Sequence, residues 1–210
     1  MFEYSLLHWL TFLSAAVVLN VSPGPDMAFI LGQTLSRGKR AGLAALAGVW
    51  CGALVHICAA ATGLSALLAG SAVAFSVVKW VGAAYLFYLG LMAFRTKAGV
   101  LQIAPVRPAS FGRTLRQGLI VSVLNPKVAL FFLAFLPQFV VDGAGPVWAQ
   151  LALHGGLIIV VAALFELPLV FVADRLCAGL RRAPRLGKIF DRIFGSILIV
   201  LGVRLVVSQR

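Results

Sequence analysis

Six apolar segments, each long enough to cross a lipid bilayer as a helix, occupy most of this 210-residue chain. A transmembrane helix needs about 20 mostly apolar residues, because the hydrocarbon core of a bilayer is about 30 Å thick. Hydrophobic residues make up 61% of the sequence and charged residues 11%, whereas soluble domains are about half apolar and a quarter charged. We therefore expect one all-α transmembrane domain over residues 1–210, surrounded by the lipid bilayer. The predicted spans are 5–32, 41–68, 74–94, 115–140, 147–173 and 190–207.

Basic residues are concentrated in the loops that follow the first, third and fifth spans. Cytoplasmic loops of membrane proteins carry an excess of Lys and Arg, so we expect these three loops to be cytoplasmic and both termini to lie outside. The net charge of +12 is then a consequence of topology, and the sequence predicts no nucleic-acid partner. The basic residues are Arg37, Lys39 and Arg40 in loop one, Arg95, Lys97, Arg107, Arg113 and Arg116 in loop three, and Arg175, Arg181, Arg182, Arg185, Lys188 and Arg192 in loop five.

The first apolar segment is interrupted by the stretch VLNVSPGPDMAF, residues 18–29. Proline has no amide hydrogen and its ring clashes with an earlier carbonyl, so Pro23 and Pro25 both break helical hydrogen bonding. We expect a helix that stops near Asn20 and restarts with Pro25 in its first turn, where proline is tolerated. In the fourth span, Pro126 should interrupt the helix in the same way but more gently.

Six spans with both termini on one side mean that the two halves of three spans run in opposite directions. The triplet Val-Leu-Asn occurs at 18–20 and again at 123–125, and a proline follows each copy. A weaker similarity joins WVGAAYLFYLGL at 80–91 to IFGSILIVLGV at 193–203. Paired interruptions in an inverted repeat are typical of secondary transporters. We therefore predict two inverted three-helix repeats with broken helices in spans 1 and 4. The halves lie at about 1–95 and 114–210.

Broken helices expose backbone groups that suit a zwitterionic ligand. A half-helix N-terminus presents free amides and the positive end of the helix dipole to a carboxylate, whereas freed carbonyls and asparagine side chains accept hydrogen bonds from an ammonium. Such groups cannot face lipid, so the breaks must be buried in protein or line a wet cavity. The candidate substrate-binding residues are Asn20, Pro23, Gly24, Pro25 and Asp26 at the first break, and Asn125, Pro126 and Lys127 at the second.

Three ionisable side chains lie within the predicted spans. Asp26 follows the first break, Lys127 follows the second, and Glu166 precedes Pro168 in the fifth span. Ionisable groups in a membrane interior cost several kcal/mol, face inward and usually have partners. Asp26 is the first candidate for proton coupling and Glu166 the second, while Lys127 is a candidate partner for the substrate carboxylate. The sequence leaves open a purely structural ion pair between Asp26 and Lys127, and a purely anchoring role for Glu166.

Three stretches occur in order along essentially the whole chain: NVSPGPDMAF with RGKRAG after it, KWVGAAYLFYLGLMAFR at 79–95, and LNPKVALFFLAFLPQFV at 124–140. Together they resemble the LysE type of amino-acid exporters, and within it the homoserine/threonine/homoserine-lactone efflux branch. The resemblance implies a multi-pass carrier of a bacterial inner membrane, with both termini periplasmic. It also implies export of amino acids or close derivatives by proton antiport. The resemblance does not transfer a substrate; we expect one that is threonine- or homoserine-like. The partners are then a small zwitterionic substrate and protons.

The sequence leaves two other functions and one assembly state open. A cation or metal-ion exporter on the same scaffold would need carboxylate, His or Cys ligands near the breaks, where Asp26 is the clear candidate. A membrane-embedded enzyme or a non-transporting membrane protein is the other alternative. However, the sequence contains no Walker A motif, nucleophile elbow or HExxH, so we expect no enzyme, no cofactor and no resident metal. The small residues of 41–52 can pack helices within one protomer or between two, so a homodimer stays open.

Overall fold

A computed structural model describes residues 4–21, 24–64 and 109–182, together with single helical positions between 73 and 91 and between 192 and 203. For residues 174–182 it describes the helical backbone. Every regular element in these residues is helical, which confirms the all-α prediction. The helices are α1 Leu6–Val21, α2 Pro25–Arg37, α3 Lys39–Ala59, α4 Phe111–Val123, α5 Pro126–Leu130 and α6 Val147–Arg182. A π-helical turn at Ala60–Leu64 extends α3, and π-helical and 3₁₀ turns at Phe131–Phe135 and Leu136–Phe139 extend α5.

Both predicted breaks are present. The first helix ends at Val21 and α2 begins at Pro25, with a bend of 48° between them. The second break separates α4 from α5, which begins at Pro126, and the bend there is 49°. The expectation that the second break would be gentler is therefore wrong. A single proline is sufficient because Asn125 caps a new helix, its Oδ1 accepting a hydrogen bond from Lys127 N at 3.0 Å.

The described helices account for four of the six predicted spans. Lys39–Gly63 and Val147–Ala173 are long and apolar enough to cross a bilayer, and each of the two broken helix pairs qualifies when it is taken as one span. The third and sixth predicted spans, with the motif at 79–95, lie largely outside the described residues. The count of six spans and the inverted relation of the halves therefore stay predictions.

Helix α6 continues beyond its apolar segment to Arg182. The first basic residues that we assigned to loop five, among them Arg175 and Arg181, lie on this helix and not in a loop. Backbone hydrogen bonding does not end at a membrane surface, and the next proline after Pro168 is Pro184. Hydropathy marks where the apolar part of a helix ends, while the helix itself extends into the polar phase.

Close approach of two backbones joins α3 to α4. A Cβ built on Gly118 would lie 2.5 Å from Ala45 O, and one on Gly52 would lie 2.5 Å from the Cβ of Ser122. A Cβ on Gly48 would overlap the carbonyl oxygen of Leu115. Small residues four apart permit this contact, as they do in other membrane helix pairs. The glycines of 41–52 are thus used for packing within one protomer.

Two apolar clusters lie on either side of the breaks. The first is rich in phenylalanine and packs α1, the end of α3, the α5 segment and α6 together, and the second packs α2 and α3 against α6. Large apolar side chains on the outer faces are exposed, as is expected of surfaces that face lipid. The first cluster includes Phe12, Phe131, Phe132, Phe135, Phe139, Leu151 and Ile158, and the second Ile30, Ala45, Leu46, Val49 and Val170.

Polar side chains anchor the start of α1 to α6. Tyr4 OH donates to Gln150 Oε1 at 3.0 Å, and the Nε2 atoms of His8 and His154 lie 2.8 Å apart. His154 Nδ1 lies 2.8 Å from Gln150 O, and because a carbonyl only accepts, this nitrogen carries a hydrogen. In the neutral pair His8 Nε2 is therefore the donor to His154. These contacts hold Asn20, at the far end of α1, against the middle of α6.

Candidate functional site

A cavity of about 40 Å³ lies where the two breaks meet. Each of the helices α1 to α6 contributes one side chain with a polar group to its wall. The cavity has room for roughly three water molecules. The six side chains, in chain order, are Asn20, Asp26, Trp50, Ser122, Lys127 and Glu166.

Lys127 bridges from the second break to the first. Its Nζ donates to Leu19 O at 3.1 Å. In an unbroken helix this carbonyl would accept from the amide four residues later, but that residue is Pro23, which has no amide hydrogen. A Cβ on Gly24 would lie 3.1 Å from Nζ and 3.3 Å from Cε. The missing side chain at Gly24 therefore gives the lysine its space.

His56 bonds to a backbone carbonyl at the second break, as Lys127 does at the first. Its Nε2 lies 3.2 Å from Ser122 O and must donate, because the carbonyl only accepts. The amide four residues after Ser122 belongs to Pro126 and is again missing, although Asn125 N reaches the same oxygen at 3.0 Å. The ring of His56 stacks on Phe132 with the centroids 5.9 Å apart. Each break is thus bridged by a side chain from another helix.

Asp26 is buried beside this bridge, with 7% of its surface exposed. It lies in the first turn of α2, where the helix dipole favours a negative charge. The side-chain amide of Asn125 and the charge of Lys127 both act on this carboxylate. Its Oδ1 is buried and accepts no hydrogen bond from any described residue. A buried carboxylate oxygen without a donor is costly in free energy. This oxygen can therefore accept a hydrogen bond from a ligand, and it is an open acceptor in the wall of the cavity.

Asn125 lies beside Asp26. Its Oδ1 is committed to the cap of α5, and its buried side-chain amide acts on the Asp26 carboxylate. Asn20 Nδ2 donates to Ala16 O at 2.8 Å and to Ile158 O at 3.4 Å. The two asparagines that the sequence pairs as repeats therefore differ in use: one ties α1 to α6, and the other caps α5 beside Asp26.

Glu166 belongs to the same site as Asp26 and Lys127. Trp50 Nε1 donates to its Oε2 at 2.8 Å, which fixes the carboxylate at the cavity wall. Both Glu166 and Asp26 act electrostatically on Lys127. With both carboxylates ionised and the lysine protonated, these three groups carry a net charge of −1. One proton or one additional cation neutralises them.

The structure brings together most of the residues that the sequence nominates. Asn20, Asp26, Lys127 and Glu166 line one cavity, and Gly24 contacts the lysine. The N-terminal residues of α2 and α5, Pro25 and Pro126, start the helices and are exposed. Pro23 lies outside the described residues.

Sequence reasoning missed Trp50 and Ser122 as parts of the cavity. A signal was available for both. Trp50 carries an indole N–H within an apolar segment, where a buried donor needs an acceptor. Ser122 lies four residues before Pro126, at the carbonyl that the proline leaves without a partner. Neither pattern indicates which helix packs against these two residues.

Comparison with known proteins identifies the family. The LysE type translocator model matches residues 17–209. The chain belongs to the LysE family. As a member of a translocator family, it is a transporter and not an enzyme.

Two of three relatives of this LysE-family protein match it over more than nine-tenths of its length, and the third over two-thirds. A homoserine/homoserine lactone efflux protein of Salmonella typhi is 30% identical over 197 residues, 94% of this chain and 95% of the relative. An uncharacterized membrane protein of Vibrio cholerae serotype O1 is 31% identical over 201 residues, 96% of this chain and 97% of the relative. A leucine efflux protein of Salmonella choleraesuis is 36% identical over 141 residues, 66% of each chain. No solved structure matches the chain.

Proposed function

We propose that this LysE-family translocator exports a small zwitterionic amino acid or close derivative, threonine- or homoserine-like, from the bacterial cytoplasm in exchange for protons. The observation that carries the proposal is the cavity at the two breaks. It combines the open acceptor of Asp26 with the ammonium of Lys127. The names of the homoserine lactone and leucine efflux relatives support the substrate class.

The two groups match the two ends of a zwitterion. The substrate ammonium binds Asp26, whose Oδ1 has no donor among the described residues, and the substrate carboxylate approaches Lys127. The cavity of about 40 Å³ is smaller than any amino acid. Binding therefore requires the helices to part on one side, as alternating access demands.

Competition at one carboxylate gives the exchange. A proton on Asp26 removes the charge that holds the substrate ammonium, so proton uptake from the outside releases the substrate there. Loss of that proton to the cytoplasm restores the acceptor for the next substrate. Glu166, held by Trp50, is a second proton site that keeps the group of charges near neutrality while Lys127 stays protonated.

A cation or metal-ion exporter is the alternative function. A metal site needs several hard or borderline ligands around one point. Within residues 4–21, 24–64 and 109–182, no three His, Cys, Asp or Glu side chains are grouped to hold a metal ion, so no observation favours this reading over amino-acid export.

Transport by purified protein tests the proposal. Proteoliposomes are loaded with a panel of labelled neutral and basic amino acids, homoserine lactone and divalent metal ions, and efflux is followed with and without an imposed pH gradient. We expect efflux of neutral amino acids that accelerates when the compartment receiving them is acidic. Efflux of metal ions alone, or efflux that ignores the pH gradient, would contradict amino-acid export or proton exchange respectively.

The orientation of the chain is a separate part of the proposal. We propose that the basic loops face the cytoplasm of a bacterial inner-membrane protein and that both termini are periplasmic. Arg40, in the first turn of α3, and Asp142, in the loop between the fourth and fifth predicted spans, are both exposed and lie on opposite predicted sides. In a background without native cysteines, Asp142→Cys should react with an impermeant maleimide added to intact spheroplasts, and Arg40→Cys should react only after lysis. The reverse pattern would invert the topology.

A further inference from the structure

Among the buried helical serines and threonines that the structure describes, Ser122 alone makes no side-chain hydrogen bond. Serine and threonine in helices usually donate to the carbonyl four residues earlier. Ser122 Oγ makes no such bond; it is buried, accepts and donates nothing among the described residues, and belongs to a residue that lines the central cavity. The usual bond is present at Thr11, Ser14, Thr34, Thr62 and Thr114.

Packing alone does not account for a serine here. Ser122 contacts the backbone of α3 at Gly52, where a small residue is required. Alanine would meet that requirement without burying a hydroxyl that has no partner, and burying such a group costs free energy. The hydroxyl is therefore better explained by a partner that is not part of the protein.

Ser122 shares the wall of the cavity with Asp26 and Lys127. Its hydroxyl is therefore a buried polar group without a partner among the residues that the structure describes, at the site that we assign to the substrate.

We propose that Ser122 Oγ forms a subsite for an oxygen atom on the side chain of the substrate. The subsite rests on the proposed export of amino acids and assigns the residue that recognises a hydroxyl or an ester carbonyl near the α-carbon. An aliphatic substrate of the same size leaves the serine hydroxyl unpaired when it is bound. A site built to hydrogen-bond an oxygen discriminates strongly against an analogue without one.

A competition experiment reads this preference directly. Proteoliposomes are loaded with equal concentrations of threonine and leucine carrying different isotopes, and the ratio of their initial efflux rates is measured in the parent protein, in Ser122→Ala and in Ser14→Ala. The control serine is exposed and bonded to Leu10 O. We expect the threonine-to-leucine ratio to fall roughly tenfold in Ser122→Ala, the equivalent of one good hydrogen bond, and to be unchanged in Ser14→Ala.

Additional measurements test which kind of oxygen is recognised and whether a variant loses efflux only because it misfolds. Homoserine lactone in place of threonine shows whether an ester carbonyl is recognised as well as a hydroxyl. Ser122→Gly, which is smaller and fits the same seam, should lower the ratio like Ser122→Ala.

The outcomes distinguish the subsite from the function on which it rests. An unchanged threonine-to-leucine ratio in Ser122→Ala and Ser122→Gly, with efflux of both amino acids intact, would overturn the subsite and leave amino-acid export standing. Failure of the parent protein to export any amino acid would overturn both.

Discussion

Replacing Lys127 by methionine should destabilise the protein through the first break rather than through the helix that carries the lysine. Methionine is unbranched and fills similar space, so the change chiefly removes the ammonium. Leu19 O then loses the donor that reaches it at 3.1 Å, and Pro23 cannot replace that donor because it has no amide hydrogen. Losing a charged hydrogen bond to a buried carbonyl costs about 1.5–3 kcal/mol.

The measurement is thermal unfolding of the purified protein in detergent. For a chain of this size, about 2–4 °C of Tm corresponds to 1 kcal/mol, so we expect Lys127→Met to lower Tm by about 3–12 °C. Lys39→Met is the matched control, because Lys39 is exposed at the start of α3, where its Nζ lies 5.5 Å from the centre of the Phe171 ring. Losing an exposed cation–π contact costs about 0.5–1 kcal/mol, which is less than the loss expected at Lys127.

A double-mutant cycle identifies the cause. Alanine at position 23 restores an amide hydrogen that can bond to Leu19 O, so Lys127→Met should cost less in a Pro23→Ala background than in the parent. We expect a coupling of about 1 kcal/mol, within the range for contacting residues. If Lys127→Met costs the same in both backgrounds, or no more than Lys39→Met, the lysine does not satisfy the carbonyl that the proline frees.

Three further predictions concern backbone contacts and caps. Gly48→Ala should unfold or severely destabilise the protein, because the new Cβ overlaps the backbone of α4. The control Gly156→Ala, where a Cβ would have nothing within 4 Å, should be neutral or stabilising by up to about 1 kcal/mol. Equal Tm values for the two variants would contradict the close contact between α3 and α4. Gly24→Leu should insert into the membrane normally but lose efflux, because the leucine side chain displaces the ammonium of Lys127. Gly24→Ala should have an intermediate rate, since Nζ need move only slightly. Normal efflux by the leucine variant would show that the space beside Gly24 is not needed for transport. Asn125→Ala should lower the free energy of unfolding by about 0.5–2 kcal/mol, because α5 loses its cap, and Asn125→Ser should lower it much less. Denaturant unfolding measures both values. Similar losses for the two variants would mean that the cap does not stabilise α5.

The two breaks could be predicted from the sequence because their cause is covalent. Pro25 and Pro126 cannot donate to an earlier carbonyl in any surroundings, so the helix starts that they mark follow from local chemistry. The predicted apolar segment at 147–173 likewise coincides with a described span, Val147–Ala173, because membrane thickness sets its length.

The contacts that make the site were not predictable in the same way. Lys127 binds Leu19, 108 positions away, and Trp50 binds Glu166 across 116 positions. Such pairs depend on which helix faces meet, and the glycines that decide this at the α3–α4 seam look alike in a single sequence. Proline indicated that carbonyls would be freed, but it gave no information about the groups that reach them.

The central claim is that substrate and proton compete for Asp26. It is tested most directly by transport against a gradient in proteoliposomes, measured for the parent, for Asp26→Asn and for the double variant Asp26→Asn/Lys127→Gln. Exchange of labelled for unlabelled substrate without a pH gradient is recorded in the same preparations. A buried lysine left without its counter-charge is destabilised, so the double variant separates a structural ion pair from a coupling site.

We predict that Asp26→Asn loses pH-driven accumulation but keeps slow, gradient-independent exchange, and that the added change at Lys127 does not restore accumulation. If instead the double variant accumulates substrate against its gradient like the parent, the charge at Asp26 is structural and the exchange mechanism is wrong.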